Sequence, residues 1–552
     1  MTQGGVETNL DGATKSHAHA KLPFAERRLA ILLAFIFLQL AFLKFTLHPQ
    51  SSEYDGNFAF LGLILVPALI YFSLGFLLLI STRMPKIWRT LVSGCIDHGW
   101  KQPLALQLLC YVLLIHFASR VMPSDFAEFG TAQQQNSAWD ILLLGTSVLF
   151  ATVLSMAVLA PKRSWLDLIR TEKTALLLAF SLAVSGSVAS FIVQHSWDAL
   201  ATPTMQVSRF LLGMLYSDVH SDLDSKILGT SRFTVAIGYR CSGYEGIGMI
   251  IAFLTWYLAS FKEQFRFPAA LLLFPIGVIV IWTFNAVRVA ALIAVGTSIS
   301  PEIAMHGFHS HAGLISFICV SLGLIWLARR IAIFSRNVAV RPISIEPIDA
   351  LIIPLLVMLT VTLVTSLFST EFQWLYPFRV LATGFVILIL WKKFGLYPSA
   401  PCAIPVLGGM LAFLVWIVLV HPVQVRDRQF AQALSTVPPW ISVMWIATRF
   451  LGTTIVVPIA EELAFRGYLA RLLSGETRIE NDSGKIQWFA MIVTSILFGA
   501  LHGSWIAASI AGAIYYFVMS YSGRLWDAVI SHITTNLLLA FYVLASGHWS
   551  YW

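Results

Sequence analysis

The run PAALLLFPIGVIVIWTFNAVRVAALIAVGT, residues 268–297, decides the fold class: it carries a single charged residue, Arg288. A bilayer core needs roughly 20 consecutive apolar residues in helical form, and this run exceeds that. Similar runs flank it on both sides. Before it they cover 29–47, 58–80, 103–118, 139–160, 174–193 and 246–261; after it, 312–328, 348–370, 378–391, 403–420, 440–459, 487–501, 504–520 and 525–546. The chain of 552 residues is 57% apolar and 12% charged, with a mean hydropathy of +0.77. A soluble domain carries about 25% charged residues. The sequence therefore predicts an all-α polytopic integral membrane protein of about 14–16 transmembrane helices. A soluble enzyme, a nucleic-acid binder and a disordered scaffold are excluded. The five cysteines (Cys95, Cys110, Cys241, Cys319, Cys402) are scattered, with no C-x-x-C, which argues against a disulfide framework or a cysteine zinc site.

Charge in the loops gives an orientation. Residues 1–28 are polar and end in Arg27-Arg28, and the apolar run after them lacks a small-residue cleavage site. A short disordered cytoplasmic tail and an uncleaved first helix are expected. With the N-terminus inside, the inner loops of the first eight spans hold eighteen Lys and Arg residues and the outer loops five. The formal charge of +8 reflects this inside bias, not nucleic acid. The basic stretch Arg329–Arg341, followed by Pro342 and Pro347, marks a boundary. Two helical-bundle domains are expected, at 29–340 and 348–552, joined by a linker at 341–347.

Three residues of the first domain converge on its outer face. Cys241 ends the outer loop 194–245, just before a helix. Backbone N–H groups and the helix dipole there favour a thiolate, though a small apolar residue at a helix start explains the position equally well. Arg288 lies 20 residues past Pro268, about 30 Å along a helix, which is the full core thickness. It reads either as an arginine that snorkels to the interface or as an intramembrane cation that stabilises charge. The next outer loop holds His306, His309 and His311. Three close histidines also suit zinc, but no general-base Glu stands at H-E-x-x-H spacing. Together the set fits acyl transfer: Cys241 as nucleophile, His309 as base and then acid, Arg288 on the oxyanion.

Cys241-Ser242-Gly243 before a helix, Asn285-x-x-Arg288, and His309-x-x-x-Gly313-x-x-x-Phe317 resemble the exosortase/archaeosortase family. The resemblance covers roughly 100–330. It implies a membrane cysteine peptidase and transpeptidase that acts on exported proteins with a C-terminal sorting signal: a short motif, a transmembrane helix and a basic tail. It assigns the nucleophile to Cys241, the arginine to Arg288 and the histidine to His309, with Asn285 in support.

A second constellation lies between 458 and 536. Glu461 and Glu462 follow a long apolar run, and Glu462 and Arg466 stand i,i+4 on one helix face. Two adjacent carboxylates in low dielectric cannot both ionise cheaply, so one is freed to act as a base. A helix-end salt bridge outside the membrane is the plain alternative. His502 ends another apolar run, and His532 and Asn536 are one turn apart on a third helix. Each alone is a common helix–helix hydrogen bond in lipid. By hydropathy, Glu461 sits at the inner end of its run and His502 at the outer end of the next.

These residues resemble the motifs of the CPBP family of intramembrane proteases, which includes the CAAX and Abi proteases, over a core of about 440–546. The resemblance implies Glu461 as the main base and His502 as its partner in activating water. It places His532 and Asn536 on the oxyanion, with Glu462 and Arg466 supporting. This mechanism needs no metal and no cofactor; a zinc site built from Glu and His is the rival. An exosortase-like half before a CPBP-like half resembles the exosortase E/CPBP fusion architecture. That likeness implies a bacterial inner membrane, a first site at the periplasmic face, substrates with a PEP-CTERM-like signal of the Val-Pro-Glu-Ile-Asp type, contact with lipid, and no nucleic-acid partner. A polytopic transporter or polysaccharide-export component competes, but no internal symmetry is visible. So does a scaffold with vestigial motifs.

Overall fold

The computed structural model describes residues 28–29, 31–39, 99–121, 138–181, 183–184, 198–238, 241–336, 346–369, 372–395, 403–474 and 486–552. The expected tail up to residue 27, the span at 58–80, parts of those at 29–47 and 174–193, most of the linker 341–347, and Cys95 and Cys402 lie outside the described residues.

The chain is an all-α multi-pass membrane protein with one small sheet. Its first half contains α1 (Lys101–Val121), α2 (Ala138–Leu159), α3 (Lys162–Thr171) and α4 (Asp198–Gly213). Strands β1 (His220–Asp222), β2 (Ile227–Gly229) and β3 (Thr234–Ala236) follow. Then come α5 (Tyr244–Ser260), α6 (Leu273–Ser298) and α7 (His309–Arg330). The second half contains α8 (Ile353–Ser366), α9 (Tyr376–Leu390), α10 (Ala403–Leu419) and α11 (Gln424–Ser435). It ends with α12 (Pro439–Ser474), α13 (Trp488–Ala500), α14 (Trp505–Ser522) and α15 (Leu525–Ser546). Among the described residues, 7 helices are long and apolar enough to cross a membrane, or up to 8 if α10 and α11, which meet at 109°, form one broken span. Pro422 sits in that break, where its ring disfavours helical backbone at His421.

Residues 198–238, within the segment expected as an outer loop, form a folded cap. α4 leads into an antiparallel meander ordered β1-β2-β3. Three-residue strands are too short to show a period-2 pattern, which is why the sequence reads there as loop. The cap rests on the last turns of α6. Thr230 and Thr297 share a 2.9 Å hydroxyl hydrogen bond, and Tyr216 donates to the Ala294 carbonyl at 3.3 Å. A side chain at Gly296 would strike the Phe233 ring, so the glycine lets the cap sit against the helix. Ser231 closes the base of the meander by donating its hydroxyl and N–H to Asp218, and these bonds hold that carboxyl below its usual range.

Each half has its own apolar core. In the first, Ile250 and Leu254 of α5, Ile281 of α6 and Val320 and Leu324 of α7 interlock. In the second, α12, α13, α14 and α15 pack through Leu463, Phe465, Phe498, Tyr515 and Val529. The halves touch. A Cβ at Gly307, just before α7, would lie 2.5–2.8 Å from the carbonyl oxygens of Ser366, Leu367 and Ser369, at and just beyond the end of α8.

Hydropathy placed the end of a span at 459. The helix instead runs unbroken from Pro439 to Ser474, with π-helical segments at Gly452–Val456 and Leu463–Leu469. The fall in hydropathy at Glu461, Glu462 and Arg466 marks polar side chains that the fold buries, not a helix end.

Candidate active sites

Cys241 stands on a turn before α5 and is buried among Met205 of α4, Leu228 of β2 and Val289 and Ile293 of α6. The turn needs Gly243, whose φ of 102° is left-handed; a Cβ there would also lie 3.1 Å from Asn285 Nδ2. Asn285 donates to the Cys241 carbonyl at 2.8 Å, and Thr204 donates to the Ser242 carbonyl at 3.1 Å. Thr204 is itself fixed by Trp282 Nε1 at 2.9 Å. Two helices thus clamp the cysteine turn. One helical turn past Asn285, Arg288 turns toward α7: its Nη1 lies 2.7 Å from where a Gly313 Cβ would be. Gly313 follows His309 by one turn on α7. Asn285 thus holds the cysteine turn, and Arg288, one turn further along α6, faces the first turns of α7 at Gly313. His306 and His311 each direct Nδ1 to the carbonyl four residues earlier, at 3.2 and 2.9 Å.

Gly313→Ala tests this contact. The new methyl would push the guanidinium aside, and that flexible end can give way without unfolding the helix pair. A displacement near 1 Å costs on the order of 10²-fold in a positioned reaction. We expect any activity at this site to fall at least tenfold, with thermal stability in detergent unchanged; full activity would remove Arg288 from the site.

The second set is drawn together more tightly. Glu461 and Glu462 share α12, His502 follows α13, and His532 and Asn536 lie on α15. His532 Nδ1 meets Glu462 Oε1 at 2.9 Å. Arg466 reaches the same oxygen at 3.3 Å and lies 3.2 Å from Oε2, and both side chains are wholly buried. The i,i+4 pair is therefore interior, not a helix-end bridge outside the membrane. Arg466 also donates to the Gly512 carbonyl at 2.7 Å and lies over the Phe498 ring at 4.5 Å. A Cβ at Gly512 would occupy the guanidinium's place.

The proton positions follow from these partners. His502 Nδ1 faces the Phe498 carbonyl at 2.8 Å, and a carbonyl only accepts, so Nδ1 carries the hydrogen. His532 Nδ1 likewise donates to Glu462. Both Nε2 atoms then point at Glu461, each 4.0 Å from Oε2, a buried oxygen with no hydrogen-bond partner among the described residues. Asn536 donates to the Thr453 carbonyl at 2.8 Å within the first π segment. Glu461, His502, His532 and Asn536 line one cavity of about 420 Å³. Hydropathy had placed Glu461 and His502 at opposite ends of successive runs; they stand at one level because α12 continues past 459. Among the described residues, no three His, Cys, Asp or Glu side chains are grouped to hold a metal ion, at either set.

The cavity has further walls that motif reading missed: Tyr376 and Arg379 of α9, Trp416 of α10, Arg449 of α12 and Tyr515 of α14. The signal was present, since Arg379 and Arg449 are charged residues in apolar helices.

Residues 69–327 match the family described as transmembrane exosortase, EpsH type, and residues 443–538 match that described as type II CAAX prenyl endopeptidase Rce1-like. The two-part architecture expected from the motifs is matched by both regions. The class they support is a membrane protease and protein-sorting enzyme. No curated protein and no solved structure matches the chain.

Proposed function

We propose that this chain is a bifunctional peptidase of a bacterial inner membrane. Its first domain, 29–340, cleaves C-terminal sorting signals of exported proteins through Cys241, Arg288 and His309 at the periplasmic face. Its second, 348–552, is a glutamate-type intramembrane endopeptidase. The observation that carries the reading is Glu461 Oε2, buried, with no hydrogen-bond partner among the described residues, and 4.0 Å from the Nε2 atoms of both His502 and His532.

At the second site a water entering between these three atoms gives a proton to Glu461 as its oxygen attacks the peptide carbonyl. His502, fixed through Nδ1, orients that water. His532, oriented through Nδ1 by Glu462, which Arg466 holds in turn, stabilises the oxyanion. Asn536 has a second amide hydrogen for the same oxyanion. Glu461 then returns its proton to the leaving amine. At the first site, the Cys241 thiolate attacks the carbonyl and Arg288 holds the oxyanion. His309 carries the thiol proton to the leaving amine, and the thioester passes to water or an amine. The resemblance to exosortase E fusions suggests the Val-Pro-Glu-Ile-Asp type of signal.

The test uses the native chain, co-expressed with a tagged exported protein that ends in such a motif, a transmembrane helix and a basic tail. We expect the C-terminal tag to be released, and a membrane-impermeant thiol reagent added to the periplasmic side to stop release. Uncut substrate, or release unchanged in Cys241→Ala, overturns the assignment of the first domain.

A further inference from the structure

The turn that leads into the histidine helix is not an ordinary α-turn. Residues Ile303–Phe308 are π-helical, and the His309 N–H bonds the Ala304 carbonyl, five residues back. A π turn admits one residue more than an α-turn, and each residue of a helix turns it by about 100°. His309 therefore faces a different direction from the one a straight α-helix through Ala304 would give it. The π turn is held from both halves of the chain. On one side Ala304 and Phe308 pack with Leu292 and Val295 of α6 and Phe233 of the cap. On the other, Gly307 is buried against the carbonyl oxygens of Ser366, Leu367 and Ser369. Carbonyls at a helix end have no N–H partner within their own helix, and glycine Cα–H groups are weak donors that suit them. His311 Nδ1 donates to the Gly307 carbonyl at 2.9 Å, which ties the same residue forward to α7. The end of α8 is fixed in turn from within the second domain: Arg379 of α9 donates to Thr365 Oγ1 at 2.8 Å and to Ser366 Oγ at 3.3 Å.

We propose, resting on the reading of His309 as the base of the first site, that Gly307 is a positioning residue for it: through Gly307 the second domain sets the direction of His309. Three backbone oxygens stand where a side chain at 307 would be. Backbone gives way far less readily than the guanidinium end that faces Gly313. A larger residue must push the start of α7 away from α8 or unwind the π turn. Either change moves His309 relative to Cys241 and Arg288. Those two keep their places, because Arg288 is on α6 and the cysteine turn is clamped by Asn285 of α6 and Thr204 of α4, without α7. The first reaction then depends on a surface of the second domain, which is a physical reason for the two peptidases to share one chain.

The experiment measures tag release from a sorting substrate by the purified full-length chain in detergent, with hydrolysis at the second site read in the same preparation. Gly307→Ala is expected to lower kcat for release about 100-fold, the cost of a displacement near 1 Å. KM should stay within about threefold, since the loss falls on the reacting groups, and second-site hydrolysis should not change. Gly323→Ala is the control on the same helix: no described atom lies within 4 Å of its added Cβ, and both activities should stay native. The deciding measurement is a double substitution. If Gly307 acts through His309, Gly307→Ala in a His309→Ala background lowers the residual rate no further. A loss of folding would instead add to the effect of His309→Ala. Where Gly307→Ala does not fold, Thr365→Val loosens the same contact from the second domain, because it removes the hydroxyl that holds Arg379 and adds no atom at Gly307. It should lower kcat roughly threefold to tenfold, a smaller displacement of the same kind, and again not in the His309→Ala background. A native kcat in Gly307→Ala, or in Thr365→Val where it stands in, overturns the positioning role. So does an equal loss in the His309→Ala background. Release that needs Cys241 yet ignores Gly307→Ala leaves the peptidase reading intact. No release by the native chain, or release unchanged in Cys241→Ala, overturns that reading and the positioning role with it.

Discussion

Glu461→Gln should lower hydrolysis at the second site by roughly 10²- to 10⁴-fold, the usual contribution of a positioned general base, while cleavage at Cys241 continues. Gln keeps the shape of the side chain, so the packing around Glu462, Arg466 and Phe498 stays in place. What is lost is the group that takes the proton from water. The loss should fall on kcat, because the cavity walls that grip a peptide are untouched. Turnover of a quenched fluorescent peptide in detergent, measured beside thermal unfolding, separates this from misfolding. Activity within threefold of the native chain would exclude Glu461 as the base. A chelator that stops the native enzyme, with activity restored by added zinc, would favour the metal reading.

The spans were legible because a bilayer imposes a composition on any helix that crosses it. The run at 268–297 needed no partner to be read, and α15 occupies the predicted 525–546. Features that depend on distant partners were not legible. Glu462 and His532 are 70 positions apart, and only the packing of α15 on α12 makes their 2.9 Å contact. The same holds for α12 itself. Glu461, Glu462 and Arg466 lower the local hydropathy as a loop would, yet they are interior because His532 and the Gly512 carbonyl meet them. The meander failed for a different reason. Its strands draw their burial from the end of α6, as when Leu228 packs on Val289 and Ile293, and not from their own alternation. Asn285 and Gly313 lie between these cases. The motifs flagged both positions, but not that Asn285 holds the cysteine turn or that Gly313 makes room for Arg288.

Cys241→Ala should abolish cleavage of a tagged sorting substrate, a loss on the order of 10⁴–10⁶ where a nucleophile acts as one unit with its base. It should leave hydrolysis at Glu461 unchanged. The substitution is mild for the fold. Asn285 binds the backbone carbonyl of residue 241 and Thr204 that of residue 242, and alanine keeps both carbonyls. Sulfur is lost from a small apolar cluster, so stability should change by about 1 kcal/mol or less. A large loss of activity with an unchanged unfolding temperature would therefore report on chemistry and not on structure. Cys241→Ser adds resolution: a hydroxyl retains the position but ionises far less readily than a thiol, so it should be nearly as inactive. If either variant still processes the substrate at a native rate, the thiol is not the nucleophile. The burial of Cys241 between α4 and α6 would then be packing alone.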